Sequence, residues 1–337
     1  MGEEMIGLGI IGTNWITHQF VAAAIETGNF ELTGVYSRKL ETARNFGERY
    51  GNVQYATDLE EFLALPKLNT VYIASPNSLH FSQAKAAILA NKNVIVEKPA
   101  FSTPKEMAEI IQLAKEQEVL FFEAARNIHE ANFQKVAQEL PAMDQIIGAN
   151  FSYMKYSSRY DAVLAGEEPN IFSPKFSGGS LADLGVYPVY AAVGWFGMPE
   201  SVHHFARKIV TGVDGIGTII LRYIDFDVTI LHGKIGDSFL PSEIYTKSET
   251  ITLDGINAIS QMTIHRRLDN EVVEVPLEVK DNPMVEEAND FAEIINNPSD
   301  EKNQIRYQQL VKLAEQVNTL LYELRNQVGV SFSADKE

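Results

Sequence analysis

The chain is expected to be an α/β protein, with an N-terminal doubly wound parallel sheet followed by a C-terminal α+β domain built on a large, mostly antiparallel open sheet. Three observations lead there. From residue 5 to about 125, short apolar runs alternate with segments of helical spacing, the pattern of βαβ units. Beyond that point, strand-like segments joined by turn dipeptides come in a row and end in two helices. The length, 337 residues, suggests two domains rather than one. The expected division is 1–125 and 126–337.

In the first half the apolar runs are Met5–Ile11, Phe30–Tyr36, Thr70–Ala74, Asn93–Val96 and Val119–Glu123. Uninterrupted Val, Ile and Leu suit strands buried on both faces. The helical segments between and after them are Trp15–Thr27, Leu40–Tyr50, Asp58–Leu63, Leu79–Asn91 and Pro104–Gln117. Ser102-Thr103-Pro104 supplies a cap and then a proline that fits an early helical position. In the second half Gln145–Tyr156 reads as a long strand and Leu184–Phe196 as a buried helix. The segments Val202–Val210, Gly217–Tyr223, Val228–Gly233, Thr250–Leu253, Ala258–Arg266 and Glu271–Val275 read as antiparallel strands. Helices over Met284–Asn296 and Gln304–Gln327 close the chain.

Composition narrows the function classes. Hydrophobic content of 45% and charged content of 22% are those of an ordinary globular protein. The net charge of -17 argues against nucleic acid or an anionic membrane as partner, since both need a basic face. There is no cysteine, which excludes disulfides and thiolate metal sites. His203, His204, His232 and His265 form no recognisable metal spacing, and His203 and His204 alternate on one strand, so no metal is expected. The start, Met1-Gly2-Glu3-Glu4, lacks the basic region of a signal peptide, and no apolar run spans a bilayer. A cytoplasmic location is expected.

Chemistry-bearing motifs lie at strand ends, where open α/β sheets bind ligands. Gly7-Leu8-Gly9-Ile10-Ile11-Gly12 closes the first strand and opens a helix, so it reads as a dinucleotide fingerprint: a tight turn, a close approach to pyrophosphate, and close helix packing. Gly7, Gly9, Ile11, Gly12, Thr13 and Asn14 are expected at the cofactor, with the helix N-terminus facing its phosphates. This is the signature of a Rossmann domain. The second strand ends Val35-Tyr36-Ser37-Arg38, without the acid that grips a ribose hydroxyl pair. Ser37 and Arg38 suit a 2′-phosphate, which favours NADP, with NAD the second choice. Ser75-Pro76-Asn77 and His80 follow another strand end and are assigned to the nicotinamide side, where Asn77 or Ser78 can also simply cap the helix. Glu97-Lys98-Pro99 follows the run Val94-Ile95-Val96, and the proline stiffens the turn carrying Lys98. Taken alone, Lys98 reads equally well as a solvated loop residue. In the second half, Asp183 and Tyr187 lie four apart on one helix face after Gly178-Gly179. A carboxylate and a phenol on one face can bind and deprotonate a hydroxyl; the plain alternatives are a helix cap and a buried structural tyrosine.

These motifs together, with Gly178–Tyr187 as the second half, resemble the Gfo/Idh/MocA family of nicotinamide-dependent oxidoreductases over essentially the whole length. The resemblance implies that Lys98 is catalytic or orients substrate and that Glu97 lies by the nicotinamide ribose. Many members carry His where this chain has Tyr187. The tyrosine form resembles glucose-fructose oxidoreductase and dihydrodiol dehydrogenase, in which that tyrosine exchanges the substrate proton. A phenol near pKa ~10 is a poor base at neutral pH, and a nearby ammonium would stabilise its phenolate, which pairs Tyr187 with Lys98. Asp183 then orients the substrate or Lys98. The implied reaction is hydride transfer between nicotinamide and a hydroxyl or carbonyl carbon of a sugar, polyol, diol or small carbonyl compound. Arg126, Asn127, His129 and Lys175 are weaker substrate-binding candidates that read equally as caps and solvated residues, as do Arg159 and Tyr160. The implied partners are a small-molecule substrate and a second copy of the chain, as a homodimer or larger assembly. The competing expectation is a non-catalytic NAD(P)-binding sensor or scaffold of the same fold.

Overall fold

A computed structural model describes residues 5–336. The acidic start, Met1 to Glu4, lies outside the described residues. The chain divides into two compact units, residues 1–124 with 280–315 and residues 125–279 with 316–337. The chain thus first leaves unit 1 at the point where the sequence changes its pattern. Unit 1 also includes a C-terminal segment.

Unit 1 runs β1 (Ile6–Ile11), α1 (Trp15–Glu26), β2 (Phe30–Tyr36), α2 (Leu40–Gly47), β3 (Gln54–Ala56), α3 (Leu59–Leu63), β4 (Thr70–Ile73), α4 (His80–Leu89), β5 (Asn93–Glu97), α5 (Pro104–Glu116) and β6 (Phe121–Ala124). The six strands are parallel in the order β3-β2-β1-β4-β5-β6, the doubly wound order expected of alternating strands and helices. Every residue of β1 and β4 is buried, which is why these strands read as continuous apolar runs. The helix starts are chemically marked. Asn14 accepts from the amides of Ile16 and Thr17, and Asp58 from Glu61. Thr103 and Glu106 complete a reciprocal capping box ahead of α5. The short edge strand β3, with its polar Gln54, carries too little pattern to be read in advance.

Unit 2 runs α6 (Ala131–Glu139), β7 (Ile146–Met154), α7 (Arg159–Leu164), α8 (Val186–Phe196), β8 (Ser201–Lys208), β9 (Asp214–Arg222), β10 (Asp227–Gly233), β11 (Ser242–Thr246), β12 (Glu249–Leu253), β13 (Met262–Arg266) and β14 (Val272–Val275). Its eight strands follow the order β14-β13-β12-β11-β7-β10-β9-β8. β10 pairs with β7 in parallel, and the remaining neighbours are antiparallel. The alternation along β8, β9 and β10 buries Val202, His204, Gly217, Ile219, Leu221, Val228, Ile230 and His232. Two histidines therefore occupy positions on the buried face that the period would give to apolar residues. Against that face lies α8, whose Trp195 packs edge-on to Phe151 of β7, ring centroids 5.6 Å apart. Three elements of this unit were not among those expected: α6; α7, inside a segment expected to be loop; and β11, whose Ser-Glu-Ile-Tyr-Thr sequence is weakly apolar.

Two helices close the chain, α9 (Val285–Asn296) and α10 (Glu301–Gln327). Within unit 1, Phe291 of α9 packs on Phe122 of β6 at 4.8 Å, and the backbone N–H of Phe121 donates to the Tyr307 hydroxyl at 3.2 Å. These contacts explain why 280–315 belongs with the parallel sheet.

Candidate active site

In unit 1 the candidate residues sit on four turns at the C-terminal ends of β1, β2, β4 and β5. Gly7 and Gly9 lie within β1 rather than in the turn after it. Packing accounts for both: an added Cβ would lie 1.7 Å from the Lys67 carbonyl oxygen at Gly7 and 2.4 Å from Leu68 at Gly9. The turn itself is Gly12-Thr13-Asn14. Gly12 has φ +101°, and a Cβ there would meet the Ala74 carbonyl oxygen at 2.5 Å. Asn14 caps α1 and donates from Nδ2 to that same carbonyl at 2.9 Å, tying the turn to the end of β4. Relative to the strand, the fingerprint is therefore shifted: Gly12 is its turn glycine, and the fully buried Thr17 takes the helix-packing place. Ile11 is the last residue of β1 and is buried. The strand end that decides cofactor choice, Ser37-Arg38-Lys39, holds a half-buried Ser37 and an exposed Arg38 and no carboxylate. A glycine turn at a helix N-terminus and this basic strand end fit a dinucleotide with a 2′-phosphate.

His80 lies between the other two turns. It is fully buried, with Nε2 2.8 Å from the Ser75 carbonyl and Nδ1 3.3 and 3.2 Å from the carbonyls of Pro99 and Ala100. A neutral imidazole donates from one nitrogen, and burial holds this ring below the usual imidazole range. His80 therefore sits between the Ser75-Pro76-Asn77 turn and the Glu97–Ala100 turn and donates to a carbonyl of one of them. Ser75 donates its hydroxyl to Gln83 at 2.7 Å, at the side of the first of these. In the second, Glu97 is buried and accepts from the Tyr72 hydroxyl at 2.6 Å. Glu123 accepts from the Ala100 amide at 3.1 Å. Lys98 is half-buried, and the Lys98–Pro99 peptide is cis.

In unit 2 the candidate residues share one tightly held segment. Residues 181–185 form a π-helical turn that leads directly into α8. Such turns recur at functional sites. Over Ser177–Val193 every residue is buried except Asp183 and Tyr187. The turn is gripped from the sheet. His204 Nδ1 lies 3.0 Å from the Leu324 carbonyl, so it donates, and His204 Nε2 must accept. His232 Nε2, 2.9 Å away, then donates, and His232 Nδ1 accepts from the Ser180 hydroxyl at 2.9 Å. One arrangement of protons satisfies the whole relay. Gly217 makes room for it, since a Cβ there would lie 2.6 Å from both imidazoles. Burial lowers the proton affinity of His204, and that of His232 much further. Asp214 accepts from the Leu181 amide at 2.6 Å, and burial pushes its carboxyl up to about 6.

Asp183 pairs with Lys234, the residue after β10 and one the sequence motifs did not single out. No motif marks it; only the register of β10 against the turn does. Tyr187 stacks edge-on with Tyr153 of β7, centroids 5.6 Å apart. Its carbonyl accepts from Asn127 Nδ2 at 3.3 Å. Asn127 and His129 are buried, and Arg126 donates to the Asn257 carbonyl at 2.8 Å and faces Glu130 at 3.7 Å. Lys175 is exposed beside the Phe176 ring.

The comparisons with known proteins agree with this architecture. Residues 6–125 match a family described as an oxidoreductase family with an NAD-binding Rossmann fold. The chain is 38% identical to the uncharacterized oxidoreductase YgjR of Escherichia coli K12, covering 98% of this chain and 99% of that one. It is 36% identical to the scyllo-inositol 2-dehydrogenase (NADP(+)) IolU of Bacillus subtilis 168, over 98% and 100%. The crystal structure of KijD10, a 3-ketoreductase from Actinomadura kijaniata in complex with NADP and TDP-benzene, superposes with a TM-score of 0.82 at 20% identity. It covers 96% and 98% of the two chains, a likeness of fold.

Proposed function

The chain belongs to the Gfo/Idh/MocA oxidoreductase family, and on that premise we propose that it oxidises a ring hydroxyl of a cyclic polyol or sugar with NADP, reversibly. It is an NAD(P)-dependent oxidoreductase; the substrate class, the cofactor preference and the residue roles are the reading put forward. The observation that carries it is the exposure pattern of Ser177–Val193, in which a carboxylate and a phenol alone reach solvent from a buried segment. Burial of everything else gives these two groups fixed positions, which positioned acid–base chemistry requires.

When bound, the cofactor supplies the nicotinamide carbon that exchanges hydride. Gly12, Thr13, Asn14 and the start of α1 would hold its pyrophosphate, and Ser37 and Arg38 its 2′-phosphate. Ser75, Pro76, Asn77 and Glu97 would hold its nicotinamide side, on turns between which His80 is buried. Lys98 donates a hydrogen bond to the reacting oxygen, favouring negative charge there. Tyr187 takes the hydroxyl proton as a phenolate in oxidation and returns it as a phenol in reduction. Asp183 accepts from a substrate hydroxyl. The reading includes a homodimer or larger assembly in the cytoplasm. Outward-facing Phe205 and Ile147, 67% and 56% exposed on the eight-stranded sheet, support the assembly, which light scattering would measure directly. No helix among the described residues is long and apolar enough to cross a membrane.

The test is nicotinamide absorbance with NADP+ or NAD+ against a panel of inositols, aldoses and cyclic diols. The expected result is turnover of a cyclic polyol or pyranose, faster with NADP+. Cofactor binding with no turnover across the panel would overturn the reading in favour of a sensor.

A further inference from the structure

β10 grips the π-helical turn at two points. His232 accepts from Ser180, and two residues further along Lys234 pairs with Asp183. A step of two along a strand returns to the same face, so both side chains reach the same turn. Lys234 is enclosed: its side chain is 5% exposed against 26% for Asp183. Its amide donates to the Gly215 carbonyl at 2.8 Å, and its carbonyl accepts from the Ser157 amide at 3.0 Å. Its ammonium lies 5.8 Å from the centre of the Phe172 ring. A lysine this deep is costly to keep without an opposite charge, and Asp183 supplies one. The arrangement is asymmetric, with the cation hidden and the carboxylate at the surface of the segment.

We infer that Lys234 is a positioning residue that fixes the direction and the charge of the Asp183 carboxylate, so that Asp183 serves as a hydrogen-bond acceptor for a substrate hydroxyl rather than as the group that moves the proton. The inference rests on the reading that Asp183 meets substrate. It divides the labour of the turn: Asp183 binds, Tyr187 exchanges the proton. A carboxylate paired with a buried ammonium offers only acceptors, which suits a substrate with a second hydroxyl near the reacting one.

The experiment measures kcat/KM with scyllo-inositol and NADP+ in the wild type, Asp183→Asn, Lys234→Met, Lys234→Arg and the Asp183→Asn/Lys234→Met double variant. NADP+ affinity is followed by fluorescence as a check on unit 1. Lys234→Met and Asp183→Asn are each expected to lower kcat/KM on the order of a hundredfold with NADP+ affinity unchanged. The double variant should lose no more than Asp183→Asn alone, because Lys234 acts through Asp183. Lys234→Arg should recover part of the loss. Wild-type kcat/KM in Lys234→Met, or a double variant whose loss is the product of the single losses, overturns the inference. Should Lys234→Met fail to fold, the comparison of Asp183→Asn with the double variant decides alone, since the double variant leaves no unpaired buried charge. A wild type without turnover overturns the polyol reading and this inference with it. Turnover that Asp183→Asn leaves unchanged removes Asp183 from the site while the oxidoreductase reading stands.

Discussion

The turn that carries Lys98 and the turn that carries Asp183 and Tyr187 are held by opposite means. The first is held mostly by its own neighbourhood. Glu97 takes the hydroxyl of Tyr72 on the adjacent strand, Glu123 on the other adjacent strand takes the Ala100 amide, and His80 reaches two backbone carbonyls of the turn. The second is held by side chains far apart in sequence: Ser180 to His232, His232 to His204, His204 to the carbonyl of Leu324, and Asp183 to Lys234. The difference shows two ways to fix a reactive group. A parallel sheet does so by laying strand ends side by side, so its site residues sit in short motifs. The larger sheet does so by pairing distant strands, so its supporting residues are scattered.

The sharpest way to test whether both turns serve one reaction is to remove the reactive group from each. Lys98→Ala and Tyr187→Phe are each expected to lower kcat by about 10²–10⁴-fold while leaving NADP+ binding intact, read by nicotinamide absorbance and fluorescence titration. Wild-type turnover in either variant would leave the chemistry to one turn alone.

A smaller effect probes the long-range relay. Ser180→Ala removes the donor to His232 Nδ1 and leaves that nitrogen buried and unpaired. The expected cost is about 1–3 kcal/mol, seen as a thermal midpoint several degrees lower in calorimetry. An unchanged midpoint would mean that the relay does not hold the turn.

The smallest effect is on pH. His80, His204 and His232 are all held below the imidazole range by burial. The folded chain then takes up fewer protons than the unfolded chain as pH falls below about 6.5, so the stability tied to these rings is whole above that pH and is lost below it. Asp214 runs the other way. Its carboxyl is raised to about 6, so its contribution is whole below the unfolded value of 3.8 and is lost as pH rises through about 6. Three rings outweigh one carboxyl, and the thermal midpoint is expected to fall between about pH 7 and pH 5.5. A midpoint that rises over that interval would mean that Asp214 dominates.

Much of this was legible in advance. Apolar runs alternating with helices announced the parallel sheet because strands buried on both faces leave no room for polar residues. Lys98, Asp183 and Tyr187 stand out because the short motifs around them resemble those of the family. The glycine fingerprint was read early in the chain relative to the strand, since the spacing of Gly7, Gly9 and Gly12 matches the pattern by chance while packing against Lys67 and Leu68 accounts for the first two. The buried His204 and His232 stand out only once the strands are in register.

The sequence by itself determined the two sheets, the change of pattern near residue 125, the basic strand end at Ser37 and Arg38, and the three groups proposed to do the chemistry. The first two rest on the repeating pattern of apolar runs along the chain, and the others on short motifs at a strand end or within one helical turn. Tertiary structure alone decided that Lys234 stands behind Asp183, that the proton pattern runs from Ser180 to Leu324, and that α9 joins the parallel sheet. These depend on which strands lie side by side, and strand order is set by burial across the whole fold rather than by any local run of residues.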